Sequence, residues 1–176
     1  MSVEIEAKLK VDSLPEIERK LDEAGAEFMA EQQQTDYHFD DAGATLTTSD
    51  RCLRLRRQMV AGSEEHFLTY KGPKEKSSFK KRVEIETGID DADSMRKLLS
   101  ALGYEETLVV EKKRRLWRLG GCEVALDRLP LLGDFVEIEG PNDEEIANVQ
   151  NRLGLETLPH IPKSYAHLMK EEQRKT

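Results

Sequence analysis

Glu4, Glu6, Glu84, Glu86, Glu137 and Glu139 belong to three copies of one tetrapeptide, Val-Glu-Ile-Glu, at Val3–Glu6, Val83–Glu86 and Val136–Glu139. Apolar and acidic residues alternate in each copy. That is the period of a β-strand, with both glutamates on one face and Val and Ile on the other. Sorting the neighbouring segments by the same parity adds Asp127 to the acids. It also gathers the bases Lys8, Arg54, Arg56, Lys71, Lys80, Arg82, Lys112 and Arg114. Clustered carboxylate oxygens suit Mg²⁺ or Mn²⁺. Guanidinium forks and ammonium groups suit phosphate oxygens. Together they can hold a divalent ion against a polyphosphate.

The elements that position these groups follow from the same periodicity. Strands are expected at Val3–Val11, Gln32–Asp40, Arg51–Gln58, His66–Lys71, Phe79–Thr87, Val109–Leu119, Glu123–Asp127 and Phe135–Glu139. Helices are expected at about Leu14–Ala24, capped by Asp12 or Ser13, and at about Ala92–Leu102 and Asp143–Leu153. Gly25, Gly103 and Gly154 end them, and a short helix follows around Ser164–Gln173. The second helix should bury Met95, Leu98, Leu99 and Leu102. Loops are expected at Asp41–Asp50 and at the Lys- and Ser-rich Gly72–Ser78, the latter mobile. Many strands and few helices predict an α+β fold, with apolar strand faces packed under helices. The charged faces must then meet water. Isolated buried charges cost several kcal/mol each, so a hydrated, occupied barrel interior resolves the geometry. One such strand alone would be an ordinary half-solvated strand.

Length and composition set the bounds. The 176 residues predict a single domain over 1–176, long enough for a real core. A net charge of −8 argues against nucleic-acid binding, which needs a basic surface. No apolar run reaches membrane-spanning length and no signal-peptide pattern opens the chain, so a cytoplasmic protein without a membrane partner is expected. Cys52 and Cys122 fall on opposite strand faces, which predicts no disulfide. His38, His66, His160 and His167 lack metal-ligand spacing, Gly72–Ser77 lacks the phosphate-loop spacing, and Trp117 is assigned to packing by parity.

The motif series resembles the CYTH superfamily, the triphosphate tunnel metalloenzymes. It comprises Glu4-x-Glu6-x-Lys8, Leu53-Arg54-Leu55-Arg56, Thr69-x-Lys71, Arg82-x-Glu84-x-Glu86, Glu111-Lys112-x-Arg114, Leu126-Asp127, Gly133–Glu139 and Lys163-Ser164-Tyr165. Segments 68–73, 101–104, 110–114 and 132–139 are most similar to bacterial class IV adenylate cyclases. His38 stands where the family often has tyrosine. The resemblance implies an eight-stranded antiparallel β-barrel or tunnel with helices packed outside. It implies a Mg²⁺- or Mn²⁺-dependent enzyme acting on ATP or another triphosphate small molecule, with a homodimer as one possible state.

The resemblance also implies roles. Glu4, Glu6, Glu84, Glu86, Asp127, Glu137 and Glu139 would bind metal. Lys8, Arg54, Arg56, Lys71, Arg82, Lys112, Arg114 and Lys163 would hold phosphates, and Glu4, Glu6, Lys8 and Arg114 would carry catalysis. A cyclase would form cyclic AMP and pyrophosphate. The alternatives are a tripolyphosphatase or thiamine triphosphatase, in which water attacks the terminal phosphorus, and a non-catalytic polyphosphate-binding module.

Overall fold

The computed structural model describes residues 2–75 and 79–175. Eight strands close a barrel: β1 (Ser2–Lys10), β2 (Glu27–Asp41), β3 (Cys52–Val60), β4 (Ser63–Lys71), β5 (Lys80–Gly88), β6 (Tyr104–Leu119), β7 (Cys122–Leu129) and β8 (Gly133–Glu139). Their order around the barrel is β1-β5-β4-β3-β2-β6-β7-β8, and every pairing is antiparallel. The helices are α1 (Leu14–Glu23), α2 (Thr45–Thr48), α3 (Ala92–Ala101), α4 (Asp143–Arg152) and α5 (Tyr165–Gln173). None of the described helices is long and apolar enough to cross a membrane.

The helices start where side chains can cap them. Ser13, Asp91, Asn142 and Ser164 each accept a hydrogen bond from a backbone N–H in the first turn of α1, α3, α4 and α5. Helices α1 and α4 cover the apolar outer face of β1, β7 and β8, where Leu9, Leu21, Val124, Ile138 and Ile146 are fully buried. Helix α5 lays Tyr165 and Met169 against Val110, Leu129 and Phe135. Helix α3 sets Ala92 and Leu99 on Phe39 and Leu55. With α1, α3 and α4 packed on outer apolar faces, the charged faces turn inward, and α5 packs on Val110 of the inner face and lines the cavity.

Four expectations are corrected. Strands β2 and β6 both extend further than their alternation indicates, because they pair with each other from Glu27↔Arg118 to Asp41↔Tyr104. A partner strand carries the ladder through stretches whose own pattern is weak. The loop after β2 contains α2, whose opening N–H groups bond the Asp40 carboxylate: Leu46 N to Oδ1 and Thr47 N to Oδ2, both at 2.9 Å. Leu98 and Leu102 are 52% and 66% exposed, since the apolar contacts of α3 with the curved barrel run along Ala92, Met95 and Leu99. The outer face of β1 and β5 has no helix over Val3 and Ile85, which are about half exposed. The expected mobility of Gly72–Ser78 falls partly on residues 76–78, outside the described residues.

Candidate functional site

The barrel encloses a cavity of about 430 Å³. Among the described residues, eight carboxylates and eight lysine or arginine side chains line it. Cross-strand register turns most of these into ion pairs, because directly opposed side chains on one sheet face are neighbours. Lys8 lies opposite Glu137, Nζ to Oε1 3.1 Å. Lys71 lies opposite Glu84 at 2.7 Å and donates to both Glu4 oxygens at 2.8 Å. Lys80 lies opposite Glu6 and donates to it. Arg56 grips Asp36 with Nε at 2.6 Å and Nη2 at 2.7 Å. Arg54 donates to Thr69, its ladder partner, at 3.0 Å and reaches Glu86 at 3.4 Å.

Three places on the wall break this matching. Glu139 lies opposite Glu6 on one side and Glu123 on the other, so three carboxylates share a row with no base among them. Glu139 has no ion-pair partner among the described residues. It stands at the exposed rim, yet crowding by protein, then the charges of Glu4 and Glu6, raise its carboxyl to about 7.

Arg82, opposite Glu4, is 4% exposed and makes no ion pair among the described residues; its Nε has no acceptor. The Glu4 carboxylate is already engaged by Lys71. Lys112 is 3.6 Å from Asp127, whose oxygens are taken by Arg114 and by the Tyr165 hydroxyl at 2.9 Å. Burial, followed by the Arg114 charge, lowers Lys112 to about 7.

The other perturbed groups follow the ion pairs. Burial raises Asp36, but Arg56 and Arg54 more than reverse this and hold it well below the usual carboxylate range. Glu137 is likewise held well below that range against burial, by Lys8 and Arg114. Burial lowers Arg114, yet Asp127 and Glu137 raise it well above its ordinary value, so it stays cationic. Burial pushes His38 down to about 4 despite Asp36. Burial also raises Cys52, whose Sγ lies 3.5 Å from His38 Nδ1.

The structure brings Glu4, Glu6, Glu84, Glu86, Glu137 and Glu139 onto the cavity wall, with Lys8, Arg54, Arg56, Lys71, Lys80, Arg82, Lys112 and Arg114. Asp127 and Lys163 are not on it. Asp127 is fully buried behind Arg114, facing three donors rather than the lumen. The Lys163 ammonium lies along the outside of α5 on Glu171 at 2.6 Å, because the residue precedes the Ser164 cap. Its carbonyl instead accepts from Lys8 Nζ at 3.1 Å. Cys52 lines the cavity while Cys122 lies in the outer core, and both are free.

Parity sorting by charge missed Gln32, Gln34, Asp36 and His38, which give β2 a polar wall face. The alternation was visible there, but most of its members are uncharged. Glu123 shares the parity of Asp127 and was visible on the same grounds.

Among the described residues, no three acidic, histidine or cysteine side chains stand ready to hold a metal unaided. The donor set nevertheless fits a divalent cation shared with phosphate. Mg²⁺ takes one or two carboxylates and fills its octahedron with phosphate oxygens and water. The row Glu6–Glu139–Glu123 supplies carboxylates that lack enough cationic partners.

A sequence model of the CYTH domain matches residues 2–165. A relative from Methanocaldococcus jannaschii, provisionally named an adenylate cyclase, is 30% identical, with 94% of this chain and 98% of that protein covered. Adenylate cyclase CyaB of Aeromonas hydrophila is 27% identical, with 96% of this chain and 89% of that protein covered. The solved structure of the PH1819 protein from Pyrococcus horikoshii superposes with a TM-score of 0.84 at 32% identity, covering 96% of this chain and 99% of that one.

Proposed function

The chain belongs to the CYTH domain family, and on that footing we propose that its tunnel binds ATP with Mg²⁺ or Mn²⁺ and converts it to cyclic AMP and pyrophosphate. One observation carries this reading: the wall balances in total charge but not locally. Arg82 is buried without an anion, and the row Glu6–Glu139–Glu123 holds three carboxylates against one cation, Lys80 on Glu6. A triphosphate chain bridged to a divalent ion supplies both missing partners. The name of the Aeromonas relative supports the cyclase branch.

Lys8, Arg54, Arg56, Lys71, Arg82, Lys112 and Arg114 hold the phosphate oxygens in this reading. Glu4, Glu6, Glu137 and Glu139, helped by Glu84 and Glu86, receive the cation. When bound, the cation neutralises phosphate charge and polarises the phosphoryl oxygens. Asp127 acts as a positioning residue, fixing the Arg114 fork through two hydrogen bonds at 2.7 and 2.5 Å. The ribose 3′-oxygen forms its bond to the α-phosphorus as the bond to the α–β bridging oxygen breaks. Pyrophosphate leaves with that electron pair, the hydroxyl proton passes to water, and the guanidinium groups absorb the developing charge.

The test is product analysis after incubation with ATP, tripolyphosphate and thiamine triphosphate, each with Mg²⁺ and with Mn²⁺. Cyclic AMP plus pyrophosphate from ATP is the expected result. Orthophosphate release would select a triphosphatase, and binding without turnover a polyphosphate-binding module. Glu6→Gln should cut turnover by about 10²-fold or more while the far-UV circular dichroism stays unchanged. An unchanged rate would remove Glu6 from the site.

A further inference from the structure

One stretch of the β2 wall face, Gln32 and Gln34, carries no charge, and Arg114 and Lys112 of β6 lie directly opposite it. Gln34 on β2 lies opposite Gln58 on β3 and Lys112 on β6, one ladder step from the Asp36–Arg56 pair. Gln34 is 3% exposed. Its Nε2 donates to Gln58 Oε1 at 2.6 Å and to Gln32 Oε1 at 2.8 Å. Its Oε1 is buried with no hydrogen-bond partner. A buried acceptor without a partner is unfavourable, and a donor is what this atom lacks. The Gln32 amide supplies a donor on the same strand face, since its Oε1 is the atom that Gln34 occupies.

The position of this ledge fixes which part of a ligand reaches it. Residues Ser164–Ala166 of α5 line the cavity, and the Lys170 charge of that helix acts on His38. Helix α5 therefore covers the His38 end of β2. Gln32 and Gln34 lie at the other end of the strand, where Gln58 donates to exposed Glu65 at 3.2 Å and the cavity meets solvent. A triphosphate whose phosphates run from Lys112 and Arg114 toward Arg56 and Arg54 at the covered end would leave its organic end beside the solvent-facing glutamines.

We propose that Gln34, presented by Gln58 and Gln32, reads the base of a nucleoside triphosphate and selects one bearing an exocyclic amine over one bearing a carbonyl at that place. The amine donates to Gln34 Oε1, and a neighbouring ring nitrogen accepts from the Gln32 amide. A keto oxygen there would face the Gln34 oxygen, acceptor against acceptor. This specificity role rests on the triphosphate reading of the tunnel.

ATP and ITP present the same N7 acceptor to the Gln32 amide and differ in the amine against a carbonyl, with N1 protonated in ITP, so they form the probe pair; tripolyphosphate reports on the cations alone. The measurements are kcat/KM for ATP and ITP, whichever products form, and the tripolyphosphate Kd by calorimetry. The wild type should prefer ATP about tenfold or more, as one well-placed base contact allows. Gln34→Met should bring that ratio to about one while the tripolyphosphate Kd moves less than threefold. Equal use of ATP and ITP by the wild type, a preference for ITP, or an unchanged ratio in Gln34→Met would overturn the inference and leave the tunnel's phosphate role standing. Failure of the wild type to bind tripolyphosphate would remove that role, and the inference with it.

Discussion

Lys112 is the residue whose environment conflicts most with its charge. It is buried, faces Arg114 and Arg56, and has a distant share in an aspartate already gripped by Arg114. These surroundings bring its ammonium down to about 7. Phosphate needs the protonated form, so above that pH binding must take up a proton. Affinity for tripolyphosphate should therefore fall as pH rises through about 7, by at most tenfold per pH unit for one proton. Lys112→Arg keeps its charge throughout and should flatten this limb. A titration by calorimetry from pH 6 to pH 9 checks the slope. At this scale the sequence was most legible for charged residues at alternate positions. It was least legible for Asp127 and Lys163. Parity predicts a face, but it does not reveal that three donors would enclose one residue or that a helix cap would turn the other outward.

Strands were found from their own alternation and extended by their partners, which is why β2 and β6 ran long. Helix ends were legible because Ser13 is a strong capping residue and a glycine follows each of the first three expected helices, while the Asp91 and Asn142 caps emerge only in the structure. Four-residue α2 was not, since its start is dictated by the Asp40 carboxylate reaching forward along the chain. The junction from β8 to α4 shows a further constraint that composition hides. A Cβ on Gly140 would lie 2.6 Å from Cys122 Sγ and 3.0 Å from an Ile146 carbon, both in the buried core. Gly140→Ala should therefore destabilise the fold by about 1–3 kcal/mol through overpacking. Urea denaturation followed by circular dichroism reads this directly. A smaller loss in Gly140→Ala combined with Cys122→Ala would locate the clash at the sulfur.

Across the whole molecule, the apolar faces outside and the charged faces inside follow from one alternation repeated along most of the strands, with Val110, Leu116 and Ala125 as apolar breaks in the wall. The barrel was legible because burying rows of paired charges requires a hydrated enclosure. Closure order and register were not legible, yet they decide which acid meets which base, and so where a neighbour is missing. In the proposed reading those gaps make cation and triphosphate mutually dependent ligands. Each neutralises the wall the other must face, and the coupling is reciprocal by linkage. The most direct test is calorimetric titration of Mn²⁺ into the protein with and without saturating tripolyphosphate, corrected for Mn²⁺ bound by free tripolyphosphate. The account predicts that tripolyphosphate tightens Mn²⁺ binding by about tenfold or more and that Glu139→Gln removes most of this gain. Equal Mn²⁺ affinity in both titrations, or no binding of either ligand, would contradict it.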